Sequence, residues 1–212
     1  MHSIKHLPAR TLARAGAGLG ATALAGVLAM SLGPAGASAA PIAAGAHRDS
    51  SFTFALVPSP NIAACLPDAS GTVTITPGNL NDIMKVSISG MPAHAGFDLF
   101  VIQQPLAPFG VSWYQTDVNA NGDGDGSATV RGVFDVETFS VSPGGTTTFS
   151  PTHQYHLGLW FSNPQTPFKL GCEPGATSPT VTPFNGEQHA GVQALNTSEF
   201  PADAGPLSHV SR

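Results

Sequence analysis

Charge is scarce in this chain. Only 8 Lys and Arg and 13 Asp and Glu stand among 212 residues. Beyond Arg14 the basic residues are Arg48, Lys85, Arg131, Lys169 and Arg212, each isolated from the others. A nucleic-acid backbone or an anionic lipid surface is held by clustered cations, so both lose their electrostatic basis as partners. Cysteine is limited to Cys65 and Cys172. No Cys-x-x-Cys, His-x-His or His-Glu-x-x-His occurs, which removes the common zinc spacings. Gly-x-Ser-x-Gly is missing, as is Ser-x-x-Lys beyond the first forty residues, so no nucleophile motif anchors a triad or dyad. Phosphate loops and dinucleotide fingerprints are absent too. Past residue 39 nothing is long and apolar enough to span a bilayer as a helix, and no window keeps a helical period.

What is present begins at the first residues. Lys5, Arg10 and Arg14 precede an uncharged Ala/Gly/Leu run that Gly33-Pro34 ends, and Ala37-Ser38-Ala39 follows with small side chains. This is the build of a secretory signal peptide over residues 1–39, cut before Ala40. The expected location is therefore extracellular. Three of the 8 basic residues lie in that leader and all 13 acidic ones follow it, so its removal takes the formal charge from −5 to −8. In an oxidising compartment an isolated cysteine pair forms a disulfide, so Cys65 and Cys172 are expected to be bonded.

Gly, Pro, Ser and Thr are abundant, which suits a turn-rich β protein. After a flexible leader over residues 40–50, alternation marks strands at Ser51–Val57, Gly71–Pro77 and Met84–Ile88. Phe97–Gln103 is more uniformly apolar. Further strands are expected at Val111–Thr116, Ala128–Phe134, Thr138–Val141, His153–Phe161 and Ala190–Leu195. Eight or nine short strands bounded by turn residues predict an all-β chain, a single antiparallel β-sandwich of immunoglobulin or fibronectin type III kind. Its expected bounds are 51–201, with a flexible tail over 202–212. Pro92-Ala-His94 and Pro151-Thr-His153 each lead through an aromatic into a strand, and Tyr155 is placed to tie such a corner.

Several constellations offer chemistry. His153, His156 and His189 are the candidate metal ligands, for Zn or Cu, with the Asn185-Gly-Glu187 loop supplying a further oxygen. On a strand, residues 153 and 156 point to opposite faces, so they share an ion only if His153 lies in the corner before the strand. Asp117, Asn119, Asn121, Asp123 and Asp125 alternate like the start of a calcium loop, but Ala128 stands where the bidentate Glu belongs. The same residues are the ordinary ones of a tight hairpin loop. Asp135 and Glu137 would share a strand face at a separation a hydrolase uses. Trp113, Tyr114 and Trp160 are candidate stacking aromatics for a sugar ring.

Segments Pro108-Phe-Gly-Val-Ser-Trp-Tyr-Gln115, Phe134-Asp-Val-Glu-Thr-Phe139, His153-Gln-Tyr-His-Leu-Gly-Leu-Trp-Phe161 and Thr182-Pro-Phe-Asn-Gly-Glu-Gln-His189 resemble a set of secreted bacterial proteins, actinobacterial in type, with no assigned activity. The resemblance implies a secreted β protein and no reaction. Together these readings favour a non-catalytic extracellular binding or surface-associated protein, with a glycan or protein as ligand and no required cofactor. The alternatives are a carbohydrate-binding module and a metal-binding protein or hydrolase.

Overall fold

The computed structural model describes residues 50–134, 140–141, 147–148, 155–184 and 189–210. Alternation on the first strands becomes a half-buried surface, as the period of two requires. On β1 (Phe52–Pro58) Phe54 and Leu56 face inward; on β2 (Ser70–Thr76) Val73 and Ile75 do so. β3 (Asp82–Ser89) adds Met84, Val86 and Ile88. Their outward positions carry hydroxyl pairs across the ladder, with Ser51–Thr76, Thr53–Thr74 and Ser70–Ser89 all at 2.9 Å.

β4 (Gly96–Ile102), β5 (Ser112–Asn119) and β6 (Gly126–Gly132) follow, then the two-residue pair β7 (Ser140–Val141) and β8 (Thr147–Thr148). β9 (His156–Phe161) and β10 (Gln193–Asn196) are the last strands among the described residues. Eight of them form one antiparallel sheet in the order β5-β4-β9-β10-β1-β2-β3-β6. The sheet curls towards closure. Its edge strands β5 and β6 are consecutive in the chain and meet at the bridge Ala120↔Gly126. At the opposite seam β1 and β10 pair only at Val57↔Asn196 and Pro58↔Leu195.

One apolar core fills the interior, drawing Phe54, Val73, Met84, Phe97, Leu157 and Leu159 from both halves of the sheet. A second, smaller core lies on the other face of β4 and β9. There Phe100, Ile102, Trp160 and Ala190 pack with Phe109 and Phe184. This second layer explains why β4 and β9 are apolar on both faces, where β1 to β3 alternate.

Among the described residues three short helical elements interrupt the β order: α1 (Pro60–Cys65), α2 (Gln165–Lys169) and a 3₁₀ turn at Pro206–His209. None is long enough to display a helical period, so the sequence pattern hides them. The disulfide joins Cys65 at the end of α1 to Cys172 just beyond α2, across 107 residues. Within the stretch expected as a tail from residue 202, Leu207 and Val210 are buried in the main core. No helix among the described residues is long and apolar enough to cross a membrane.

Candidate functional site

The seam between β1 and β10 opens a concavity on the protein. β1 is fully paired with β2 from Phe52 to Leu56, yet on its other edge it meets β10 only at Val57 and Pro58. The chain then leaves the ladder. A turn in which Phe200 N donates to Thr197 O (3.1 Å) follows. The segment from Thr197 to Val210 closes the gap in part. What it leaves open is a groove of about 420 Å³ lined by Ser50, Phe52, Thr53, Phe54, Phe200, Pro206 and His209. That volume lies in the range of small-molecule sites, roughly 300–1,000 Å³.

Aromatic rings shape this groove. Phe52 and Phe54, two apart on β1, lie side by side with centroids 6.1 Å apart and planes at 27°. Phe200 stands at 80° to Phe54, and His209 at 69° to Phe52, each 6.0 Å away. Phe54 is buried in the main core, so the ring surface the groove presents comes from half-buried Phe52 and Phe200 and from exposed His209. The strand period sets Phe52 beside Phe54, because residues two apart share a face. The tertiary path of the C-terminal segment brings Phe200 and His209 to them.

His156 holds that segment. Its ring is fully buried, with Nδ1 2.9 Å from Thr197 Oγ1 and Nε2 3.1 and 3.2 Å from the carbonyls of Pro201 and Ala202. Carbonyls only accept, so Nε2 carries the proton and Nδ1 accepts from the Thr197 hydroxyl. Leu157 N donates to the same hydroxyl oxygen at 3.2 Å. Burial lowers the imidazole pKa below its ordinary value, and the hydrogen bonds to Ala202, Pro201 and Thr197 offset this in part. Further on, Leu207 N donates to Tyr155 O at 3.1 Å. The neutral ring is therefore a structural clasp, with both nitrogens engaged inside the protein.

The other candidates are placed as follows. His153 lies outside the described residues, as do Asn185, Glu187, Asp135 and Glu137. His189 is exposed. Among the described residues no three His, Cys, Asp or Glu side chains group as a metal site would need. In the expected calcium loop, Asn121 Oδ1 accepts from the amides of Asp123 (2.9 Å) and Asp125 (3.0 Å). Asn121 N also donates to Asp125 O at 2.7 Å, and Gly124 sits at φ 83°. Asp117 accepts the Tyr114 hydroxyl at 2.8 Å, while Asn119 is an exposed strand residue. The segment is built as a self-tied hairpin loop.

The stacking aromatics divide. Trp160 is 0% exposed, enclosed edge-on by Phe100 (5.5 Å), Phe109 (4.8 Å) and Phe184 (4.9 Å), so it has no face to offer a ligand. The expectation of an exposed ring fails there because Phe109 and Phe184 pack over that face of the sheet. Trp113 is half-buried. Tyr114 is 46% exposed, resting edge-on against Phe100.

Sequence reasoning passed over the groove. Phe52-x-Phe54 was a legible signal, since two rings at a spacing of two share one face. Phe200 lies at the limit of the expected domain, and Pro206 and His209 fall in the expected tail. Nothing local in those residues announces that they meet β1. No protein-family profile matches the chain, and neither a curated protein nor a solved structure does so.

Proposed function

We propose that the protein is a secreted, non-catalytic binding or surface-associated protein, and that the groove between β1 and the Thr197–Val210 segment is its ligand site. The aromatic box of Phe52, Phe54, Phe200 and His209 carries this reading, because it joins concavity, apolar walls and a polar rim in one place. A disulfide closing a 107-residue loop supports an oxidising, extracellular setting. The leader over residues 1–39 supports export, and the resemblance to secreted actinobacterial-type proteins supports the same location. Two four-stranded halves around one core, joined by narrow seams, support the finer reading of a β-sandwich of immunoglobulin or fibronectin type III kind.

A second reading is carried by Tyr114. An exposed ring fixed by its hydroxyl to Asp117 offers an apolar face beside a carboxylate, the pair a sugar ring uses. This carbohydrate-binding alternative needs Tyr114 and not Trp160.

Screening soluble small molecules and glycans by backbone amide NMR tests both. Shifts gathering on Phe52, Phe54, Phe200 and His209 are expected. Shifts gathering on Tyr114 and Asp117 with a glycan would transfer the function to the second site. Turnover of any screened compound that survives purification to constant specific activity would overturn the non-catalytic reading.

A further inference from the structure

Resting on the groove being the ligand site, we propose that its ligand is an organic cation of the alkylammonium class, seated with its charged head against the rings of Phe52 and Phe200. The geometry comes first. Phe52 and Phe200 are half-buried and His209 is exposed, Phe200 standing at 80° to the buried Phe54 and His209 at 69° to Phe52. An ammonium bearing methyl groups suits such a box, because its apolar shell contacts the rings while its charge meets their negative faces. A neutral apolar ligand gains the first term only.

Charge around the groove points the same way. Lys85, Arg131 and Lys169 are the basic residues of the described chain, and they sit on β3, β6 and α2, away from the groove lining. Glu199 and Asp203 stand on the segment that supplies the Phe200 wall, both exposed. The chain carries a formal −5 overall, and all 13 of its carboxylates follow residue 39. An anionic ligand would thus meet no Lys or Arg on the described lining, and two exposed carboxylates on the segment that bears Phe200. A cation meets the reverse, and the field of the whole chain favours its approach.

Neutral hydrophobes are the main rival, and one pair of probes separates them. Choline and 3,3-dimethylbutan-1-ol share shape and hydroxyl but differ in charge. Titrating the purified protein with each, followed by amide shifts at Phe52, Phe54 and Phe200, reads the charge alone. Choline is expected to bind roughly 2- to 30-fold more tightly than the alcohol, the span of a cation–π contact from exposed to desolvated. A double variant, Glu199→Gln with Asp203→Asn, should weaken choline and leave the alcohol unchanged. Phe52→Leu should weaken choline more than the alcohol, since it keeps apolar area and removes a π face.

Equal or tighter binding of the alcohol overturns the cation assignment and leaves the groove standing as an apolar site. Failure of both probes to shift groove amides across the millimolar range overturns the assignment too, and the wider screen then decides on the groove itself. Amides that move with protein concentration instead of with choline would give the groove to a second copy of the chain and overturn the assignment likewise.

Discussion

Replacing His156 by Gln should flatten the acid side of the protein's stability profile. The buried ring is held neutral, donating through Nε2 to Pro201 and Ala202 and accepting at Nδ1 from Thr197. Its native pKa lies below the ordinary value of 6.5 because burial opposes the charge. Below pH 6.5 the unfolded chain binds a proton at this position and the native chain does not, so unfolding is favoured as pH falls. The contribution is complete above about pH 6.5 and is lost as pH falls through the window down to the native pKa. Within that window the slope is bounded by about 1.4 kcal/mol per pH unit, so one unit of acidification removes at most about that much. For a domain of this size that ceiling corresponds to roughly 3–6 °C in Tm. Urea unfolding at several pH values between 8 and 5, read by the fluorescence of buried Trp160, measures it. The glutamine side chain of the His156→Gln variant retains a donor able to reach the two carbonyls and does not titrate. The variant's stability should start about 1–2 kcal/mol lower at pH 8, from the lost Thr197 bond and poorer packing, and then fall less steeply. Equal slopes for wild type and His156→Gln would refute the reasoning, because the acid loss would then belong to other groups. His156→Ala should be worse at every pH, by about 2–4 kcal/mol at pH 8, since it opens a cavity in the buried space of the ring and removes the donor to the Pro201 and Ala202 carbonyls.

Other expected outcomes follow from particular contacts. Replacing Cys65 and Cys172 together by Ala frees a loop of 107 residues in the unfolded state and should lower stability by about 4–5 kcal/mol in urea, with the native near-UV circular dichroism kept at low denaturant. Gly158→Ala places a methyl against the Trp160 ring and within 2.8 Å of Gln193 Nε2, so it should lower stability by about 1–3 kcal/mol and change the tryptophan near-UV signal. Asp82 is fully buried and accepts from Gly78 N and Phe134 N, both at 3.1 Å; Asp82→Ala should lower urea stability by about 2–3 kcal/mol. Tyr114→Ala, at an exposed ring, should leave the urea midpoint nearly unchanged, and a large loss would show that Tyr114 is a packing residue instead of a surface open to ligand.

Much of this protein was written in local pattern. Phe54, Leu56, Val73, Ile75, Met84, Val86 and Ile88 occupy inward positions because a strand repeats every two residues, and that repeat is visible without a structure. Leu157, Leu159 and Phe161 on one face and His156, Gly158 and Trp160 on the other were separable by the same rule. The bond between Cys65 and Cys172 was legible by elimination, there being no third cysteine to choose. What lay beyond reach was everything set by contacts distant in sequence. Whether Trp160 faces solvent depends on Phe109 and Phe184, some 51 and 24 residues away, laying their rings over it. Whether His156 is a ligand or a clasp depends on Thr197, Pro201 and Ala202, at least 41 residues on. The groove exists only because β10 leaves β1 after two paired residues and the C-terminal segment returns across the gap. A period of two fixes which face a side chain takes; only the folded chain decides what covers that face.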